Sequence, residues 1–342
     1  MNRGKKILIT ALAAALLLSM SGCGGKTSSG DTSKDKKQKT SSTQTKSKSS
    51  KETKSKSKAI LTGTHTKMIG SIKLKAVQIP VKPALTTSST FNTQIAAHGN
   101  KVYILSDSKL MEYSYQSGQL KLQKTRSFGD HKYTHMDASR DGTVRLSDFM
   151  DPYIGLRKGK QIFEYDDLDD MVISPSGKWG ISYFSDAQKA QRVTFQKDRV
   201  VKQDFPFKQV KTIRYIDITD SSILVSGSSA KDSNQYVFVY DYNRNLKTVL
   251  KDSDGSGLGS ITFSTFAKNR YIGLDGNLRS IDLWDASGKW IGNAKTSDLF
   301  GVSYPWLSDG QLMDDGSLLV TMTQKRDDNK TIEVLIYRVS GF

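Results

Sequence analysis

The sequence predicts an all-β fold, a six-bladed β-propeller, and three observations support this prediction. From about Ile69 onward, short alternating strands are separated by Gly, Asp, Asn and Ser, and no segment keeps a 3.6-residue apolar period. The clearest unit is 171–184, MVISPSGKWGISYF, which contains two short strands around a tight turn. Weaker copies of this hairpin recur at intervals of 35 to 48 residues, a spacing typical of propeller blades with four short strands each.

The repeat gives six units, each with an inner hairpin turn. These turns are 98–100, 140–142, 175–177, 220–222, 267–269 and 314–316. Second hairpins are predicted around 116–118, 243–245 and 286–288. The last unit supplies only three strands, so we expect the alternating segment 71–77 to pair as its missing outer strand and to close the ring.

The N-terminus has the features of an export signal. A positive segment at 3–6 precedes an uncharged, Ala- and Leu-rich stretch at 7–20, which is too short to span a bilayer comfortably. The sequence MSGC at 20–23 resembles the lipobox of bacterial lipoproteins, with Met where Leu is usual. The resemblance implies that Cys23 becomes the mature N-terminus and carries a thioether-linked diacylglycerol. The alternative is a plain secretory signal with an incidental Cys.

A polar arm follows the lipobox. Residues 24–58 contain 11 Lys, 10 Ser and 6 Thr, and they have no apolar side chain to bury, so we predict a disordered tether. Its lysines could also attract anionic lipids or anionic wall polymer. We therefore expect a signal peptide at 1–22, a lipidated tether at 23–58 and a propeller at 59–342. The expected location is the outer, extracytoplasmic face of the cell membrane, in a Gram-positive envelope.

The net charge of +17 is concentrated in the arm. Residues 1–58 hold 14 Lys and Arg against 3 Asp and Glu, which leaves a net charge of only +6 for the remainder. Scattered charge of this size does not indicate nucleic acid as a partner. The single Cys excludes an intramolecular disulfide and a Cys-based zinc site. We expect a monomer.

Three of the inner turns resemble a known family of propellers. The segments SPSGK at 174–178, SRDG at 139–142 and DDG at 314–316 resemble the S-P-D-G-K-type turn of TolB-like six-bladed propellers. This resemblance implies a fold and does not imply an activity.

Metal-binding patterns are sparse. His131 and His135 have the spacing of a helical metal pair, but in a strand they would lie about 13 Å apart. Asp252, Asp254 and Ser256 resemble the opening of a calcium loop, although Phe263 stands where its bidentate Glu belongs. A turn between blades explains the same residues, and we expect no cofactor.

A ring of polar residues is predicted at one mouth of the central channel. The count starts from one anchor residue in each inner turn, namely Gly99, Gly142, Gly177, Ser221, Asn269 and Gly316. Seven residues before these anchors stand Asn92, His135, Asp170, Arg214, Thr262 and Asp309. Convergent polar groups in such a concave site are typical of ligand binding. The alternative is that strand ends near solvent are polar in any case.

Aromatic residues are frequent in the connections between blades. They are Phe205, Phe207, Phe300, Tyr304 and Trp306. Rigid aromatic side chains favour a surface for an envelope protein or a wall polymer. Packing between neighbouring blades is the alternative.

These patterns favour a non-enzymatic binding or scaffold protein of the cell envelope. One alternative is a metal-dependent hydrolase or lactonase-like propeller, which needs several carboxylates around one ion. Asp170 and Asp309 are the only acids in the predicted ring, which counts against it. A glycan-binding or wall-polymer-binding module, using Arg214 and the aromatic residues, is the other alternative.

Overall fold

The computed structural model describes residues 63–89, 91, 93–148, 151–166, 168, 170–196, 199–302, 304–326 and 330–342. The predicted signal peptide, Cys23 and the tether lie outside these residues, as does Asn92.

Six antiparallel sheets form the blades of a six-bladed β-propeller, as predicted. From the channel outward, the first blade contains β5 (Gln94–His98), β6 (Lys101–Ser106), β7 (Lys109–Gln116) and β8 (Gln119–Ser127), with β3 (Val81–Lys82) parallel to β8. The second contains β9 (His135–Ala138), β10 (Val144–Asp148), β11 (Asp151–Arg157) and β12 (Lys160–Tyr165). The third contains β13 (Asp170–Ile173), β14 (Trp179–Tyr183), β15 (Gln191–Phe195) and β16 (Val200–Asp204).

The remaining blades follow the same order. The fourth contains β17 (Val210–Ile218), β18 (Ile223–Ser229), β19 (Gln235–Tyr240) and β20 (Leu246–Leu250). The fifth contains β21 (Ile261–Ala267), β22 (Arg270–Asp275), β23 (Ser280–Asp285) and β24 (Trp290–Lys295). The sixth contains β25 (Trp306–Leu312), β26 (Leu318–Lys325), β27 (Ile332–Ser340), β2 (Ile72–Gln78) and β1 (Thr64–Ile69), and β4 (Thr86–Thr87) also pairs with β27.

The predicted closure of the ring is confirmed. Strand β2 pairs antiparallel with β27, and Ala76 faces Val339 in the register. Its alternating sequence buries Ile72, Leu74 and Ala76 while Lys73 and Lys75 remain exposed. Strand β1 extends the same sheet by a fifth strand that the sequence pattern does not predict.

The hydrophobic core lies between neighbouring blades, because each sheet is covered on both faces. Leu274 of the fifth blade and Leu307 of the sixth, for example, are fully buried in one cluster. Helical structure in the described residues is brief, comprising α1 (Thr296–Leu299) and a 3₁₀ turn at Ala187–Lys189. No helix in the described part of the chain has the length and apolarity needed to cross a membrane.

Strand direction gives the ring two distinct faces. Within each blade the strands alternate in direction, so the innermost strands all begin on one face, which we call the entry face. The turns between second and third strands lie on that face too. The six inner hairpin turns lie on the opposite face, which we call the turn face, and all six occur where the sequence predicts them.

Candidate functional site

A cavity of about 520 Å³ occupies the central channel and reaches the turn face. Its rim is formed by inner-turn residues, among them His98, Ser139, Pro175, Ser221 and Asp314. Its deeper wall is formed by the innermost strands. The cavity is thus a pocket at the turn face, whereas the sequence predicts a polar ring where the innermost strands begin.

Three aspartates from alternate blades converge on this cavity. Asp137 belongs to the second blade, Asp217 to the fourth and Asp309 to the sixth. An innermost strand has one edge without a strand partner, and its N–H groups there need acceptors. Asp309 Oδ2 accepts from the backbone N–H of Ile95 at 2.9 Å, and Asp137 Oδ2 accepts from that of Ile173 at 3.2 Å. The carboxylates therefore join neighbouring blades as well as lining the cavity.

Burial makes these acids weak. It raises the pKa of Asp137 to about 6. Burial, together with the nearby charge of Asp137, raises the pKa of Asp217 to about 7. The pKa of Asp309 lies well above its ordinary value, again chiefly because of burial, and the pKa of the Tyr215 phenol is raised for the same reason. The charge of the cavity therefore changes near neutral pH.

The lining carries little compensating positive charge. Arg140 is the only Lys or Arg among the described residues that line the cavity, and it forms an ion pair with Asp220 across the mouth. Both side chains of this pair are exposed. With Arg140 neutralised in this way, Asp137, Asp217 and Asp314 leave the cavity acidic.

Among the five members of the predicted polar ring that the structure describes, only one lines the cavity. That residue is Asp309. The Thr262 hydroxyl donates to the carbonyl oxygen of Leu307 at 3.0 Å, which joins the fifth blade to the sixth. Arg214 is exposed and donates to the Ser260 hydroxyl at 3.1 Å. His135 and Asp170 are the first residues of β9 and β13.

Asp137 and Asp217 were not among the residues predicted from the sequence. A usable signal was present, because Asp is depleted in strands and therefore conspicuous within one. Asp217 lies between Ile216 and Ile218, at the apolar end of its strand. Asp137 lies two residues after His135, further along the strand than the predicted ring.

The aromatic residues between blades fall into two groups. Phe205, Phe207 and Phe300 are buried and pack in the core, so they are not accessible to a partner. The Phe300 ring, for example, contacts Tyr337 with centroids 4.8 Å apart. Tyr304 is 82% exposed and Trp306 is half-buried.

The segment that resembles a calcium loop forms a turn that supplies its own hydrogen-bond donors. The Ser256 backbone N–H donates to Asp254 at 2.8 Å, and the Ser256 hydroxyl donates to Asp252 at 2.9 Å. Within the described ranges, no three His, Cys, Asp or Glu side chains are placed to share a metal ion.

Known proteins offer no sequence match from which a function could be taken, so the fold and the cavity are the basis for proposing one. No protein-family model matches the chain, and no curated protein matches it in sequence. The resemblance to TolB-like propellers therefore rests on the turn residues alone.

Proposed function

We propose that this protein is a lipid-anchored, extracytoplasmic binding propeller whose channel cavity takes a small ligand with one or more ammonium groups. The propeller fold suits a non-enzymatic binding role, and the lipobox-like segment at 20–23 supports the anchor.

The acidic lining of the cavity carries this proposal. Asp137 and Asp217 face a space of about 520 Å³, and the one guanidinium among the described lining residues, that of Arg140, is already paired with Asp220. A charge-assisted hydrogen bond from an ammonium group to a partly desolvated carboxylate is strong and directional. A cationic ligand would also favour the ionised form of both acids, so binding would release protons near neutral pH.

The hydrolase alternative requires several carboxylates to converge on one ion. The cavity does bring three aspartates to one channel, but they come from alternate blades, and no three acid, His or Cys side chains of the described residues could hold an ion together. The wall-polymer alternative keeps Arg214 and the exposed aromatic residues as its candidates. Arg214, Tyr304 and Trp306 all lie outside the acidic cavity.

Calorimetric titration of the acylated protein in detergent tests the cavity. The probes are 1,4-diaminobutane and erythritol, an uncharged polyol of the same chain length. We expect the diamine to bind at pH 8 and to bind at least about tenfold more weakly at pH 5, where the acids are protonated. Equal binding of diamine and polyol would contradict a site for cations.

Two variants locate the binding. Asp217→Asn should weaken diamine binding about tenfold, because it removes a carboxylate from the cavity wall. Asp204→Asn is the matched control, since Asp204 is an exposed acid on the outer strand β16. An Asp217→Asn variant with unchanged affinity would place the site elsewhere.

The anchor has its own test. Mass spectrometry of the membrane-extracted protein should find a diacylglyceryl group on Cys23. Cys23→Ser should move the protein from the membrane pellet to the soluble fraction after export, and a variant that still pellets would contradict the lipid anchor.

A further inference from the structure

Exposed apolar side chains gather on the entry face. Tyr304 is 82% exposed, Phe91 62% and Leu278 47%. Phe91 meets the half-buried ring of Trp306 edge-on, with centroids 4.8 Å apart. We call Phe91, Leu278, Tyr304 and Trp306 the aromatic patch.

Local contacts fix the patch in place. The Trp306 ring lies against Gly276, where an added Cβ would come within 2.9 Å of it. Leu278 belongs to the same turn between β22 and β23, and Arg279 follows it with its guanidinium 5.2 Å from the centre of the Tyr304 ring. The patch therefore combines exposed apolar surface with a cationic group over its most exposed ring.

The chain enters the propeller beside this patch. Strand β1 begins on the entry face, and the His65 ring lies 3.0 Å from the place that a Cβ on Gly301 would occupy. Lys67 and Asp298 form an ion pair of 2.7 Å that joins β1 to α1. Gly301 precedes Tyr304 by only three residues, so the chain that leads back to Cys23 joins the domain next to the exposed aromatic rings.

We propose that the aromatic patch docks onto the lipid bilayer to which Cys23 tethers the protein. Tyr and Trp are favoured at the membrane–water interface, where the ring contacts acyl chains and the polar group reaches water. Arg279, held over Tyr304, is placed to meet lipid phosphate. This inference rests on the lipid anchor of the proposed function.

The tether explains how a small patch can be sufficient. A flexible chain of the length of the predicted tether has an r.m.s. reach of roughly 30 Å. It keeps the patch at an effective concentration on the order of millimolar near the lipid, so weak contacts can set the orientation. In that orientation the entry face meets the membrane and the acidic cavity on the turn face opens away from it.

Site-specific fluorescence tests the orientation. Cys23 is the only Cys of the chain, and acylation blocks its thiol, so an introduced Cys is the one reactive position. The acylated full chain is placed in vesicles of equal parts phosphatidylglycerol and phosphatidylcholine that carry a headgroup nitroxide quencher. One protein is labelled through Ser297→Cys on the entry face, and the other through Ser221→Cys on the turn face; both positions are exposed.

The expected result is at least twofold stronger quenching of the label at 297 than of the label at 221. In the Ser297→Cys background, the double change Phe91→Ser and Tyr304→Ser should lower the quenching of the label at 297 to the level seen at 221, so that the difference is near zero. Ile162→Ser is the matched control, because Ile162 is an exposed apolar residue on the outer strand β12. It should leave the difference unchanged.

Two other outcomes would overturn the inference in distinguishable ways. Acylated protein that sediments with vesicles but shows equal quenching at both labels, or quenching that survives loss of the patch, contradicts docking and leaves the anchor intact. Protein that fails to sediment and carries a second reactive thiol at Cys23 contradicts the anchor and, with it, the docking.

Discussion

The two halves of the channel wall join the blades by the same means but with different chemistry. Toward the entry face the side chains that join neighbouring blades are neutral. Gln94 accepts from the backbone N–H of Met136, and the Thr262 hydroxyl donates to the carbonyl oxygen of Leu307. Toward the turn face carboxyl groups take part as well: Asp137 and Asp309 accept in the same way, beside the neutral Gln311, which accepts from the backbone N–H of Ala97 at 3.3 Å. Ring closure therefore does not require acids. Their use in one half couples the stability of the ring to pH and makes that half receptive to cations.

Loss of the Asp309 side chain should destabilise the fold far more than loss of the Thr262 hydroxyl. Asp309 accepts from the backbone N–H groups of Ile95 and Gly310 at 2.9 and 2.8 Å, and its loss would leave both donors buried without a partner. We expect Asp309→Ala to lower the free energy of unfolding by about 2–4 kcal/mol. Thr262→Ala should cost about 1 kcal/mol, since under-satisfied carbonyl oxygens are tolerated better than orphaned N–H groups. Denaturant unfolding at pH 7 measures both losses, and equal losses would remove the distinction between the halves.

The two halves should also differ in how much they contribute to the pH dependence of stability, and this difference is smaller than the one between Asp309→Ala and Thr262→Ala. The pKa of Asp217 is raised to about 7, so the folded protein binds this proton more tightly than the unfolded chain. The resulting stability is present at acidic pH and is lost as pH rises toward 7. From pH 5 to pH 8 we expect the free energy of unfolding to fall, with about 1–3 kcal/mol of the fall due to Asp217.

Asp217→Asn should remove that part of the pH dependence, because an amide cannot ionise, while Asp204→Asn should keep the slope of the unaltered protein. Thermal unfolding at several pH values gives the comparison. A slope unchanged by Asp217→Asn would show that the acid is not held in its protonated form.

The inner turns could be predicted because their signal is local. Gly177 has a φ of +71°, and Gly142 and Gly316 also have positive φ, so these turns need residues that the sequence shows directly. Closure by β2 was likewise visible in its strict alternation. Strand β3 was missed because its partner, β8, lies far away in sequence. Strand β1 forms a hairpin with the adjacent β2, but its sequence, THTKMI, has too few apolar residues to mark it as a strand.

The polar ring could not be placed by counting residues, because the innermost strands are not equivalent. Strand β9 has four residues and β17 has nine, and β17 changes register between Val210 and Thr212 and again between Ile213 and Tyr215. Each such irregularity turns the following side chains toward a different neighbour. A fixed offset of seven residues therefore reaches Arg214 on the exposed surface but Asp309 in the cavity wall.

The smallest expected effect on stability comes from the ion pair across the mouth, where Arg140 meets Asp220. Because both side chains are exposed, Arg140→Ala should lower the free energy of unfolding by less than about 1 kcal/mol.

The effect of Arg140→Ala on ligand binding should be larger, since it removes the only cationic side chain that offsets the acids among the described lining residues. We expect the affinity for 1,4-diaminobutane to rise about two- to fivefold at low salt and the gain to shrink at about 0.5 M salt, where the Debye length is only a few ångströms. Asp220→Ala should change the affinity in the opposite direction. If both variants shift the affinity alike, the charge of the turn face does not control what the cavity binds.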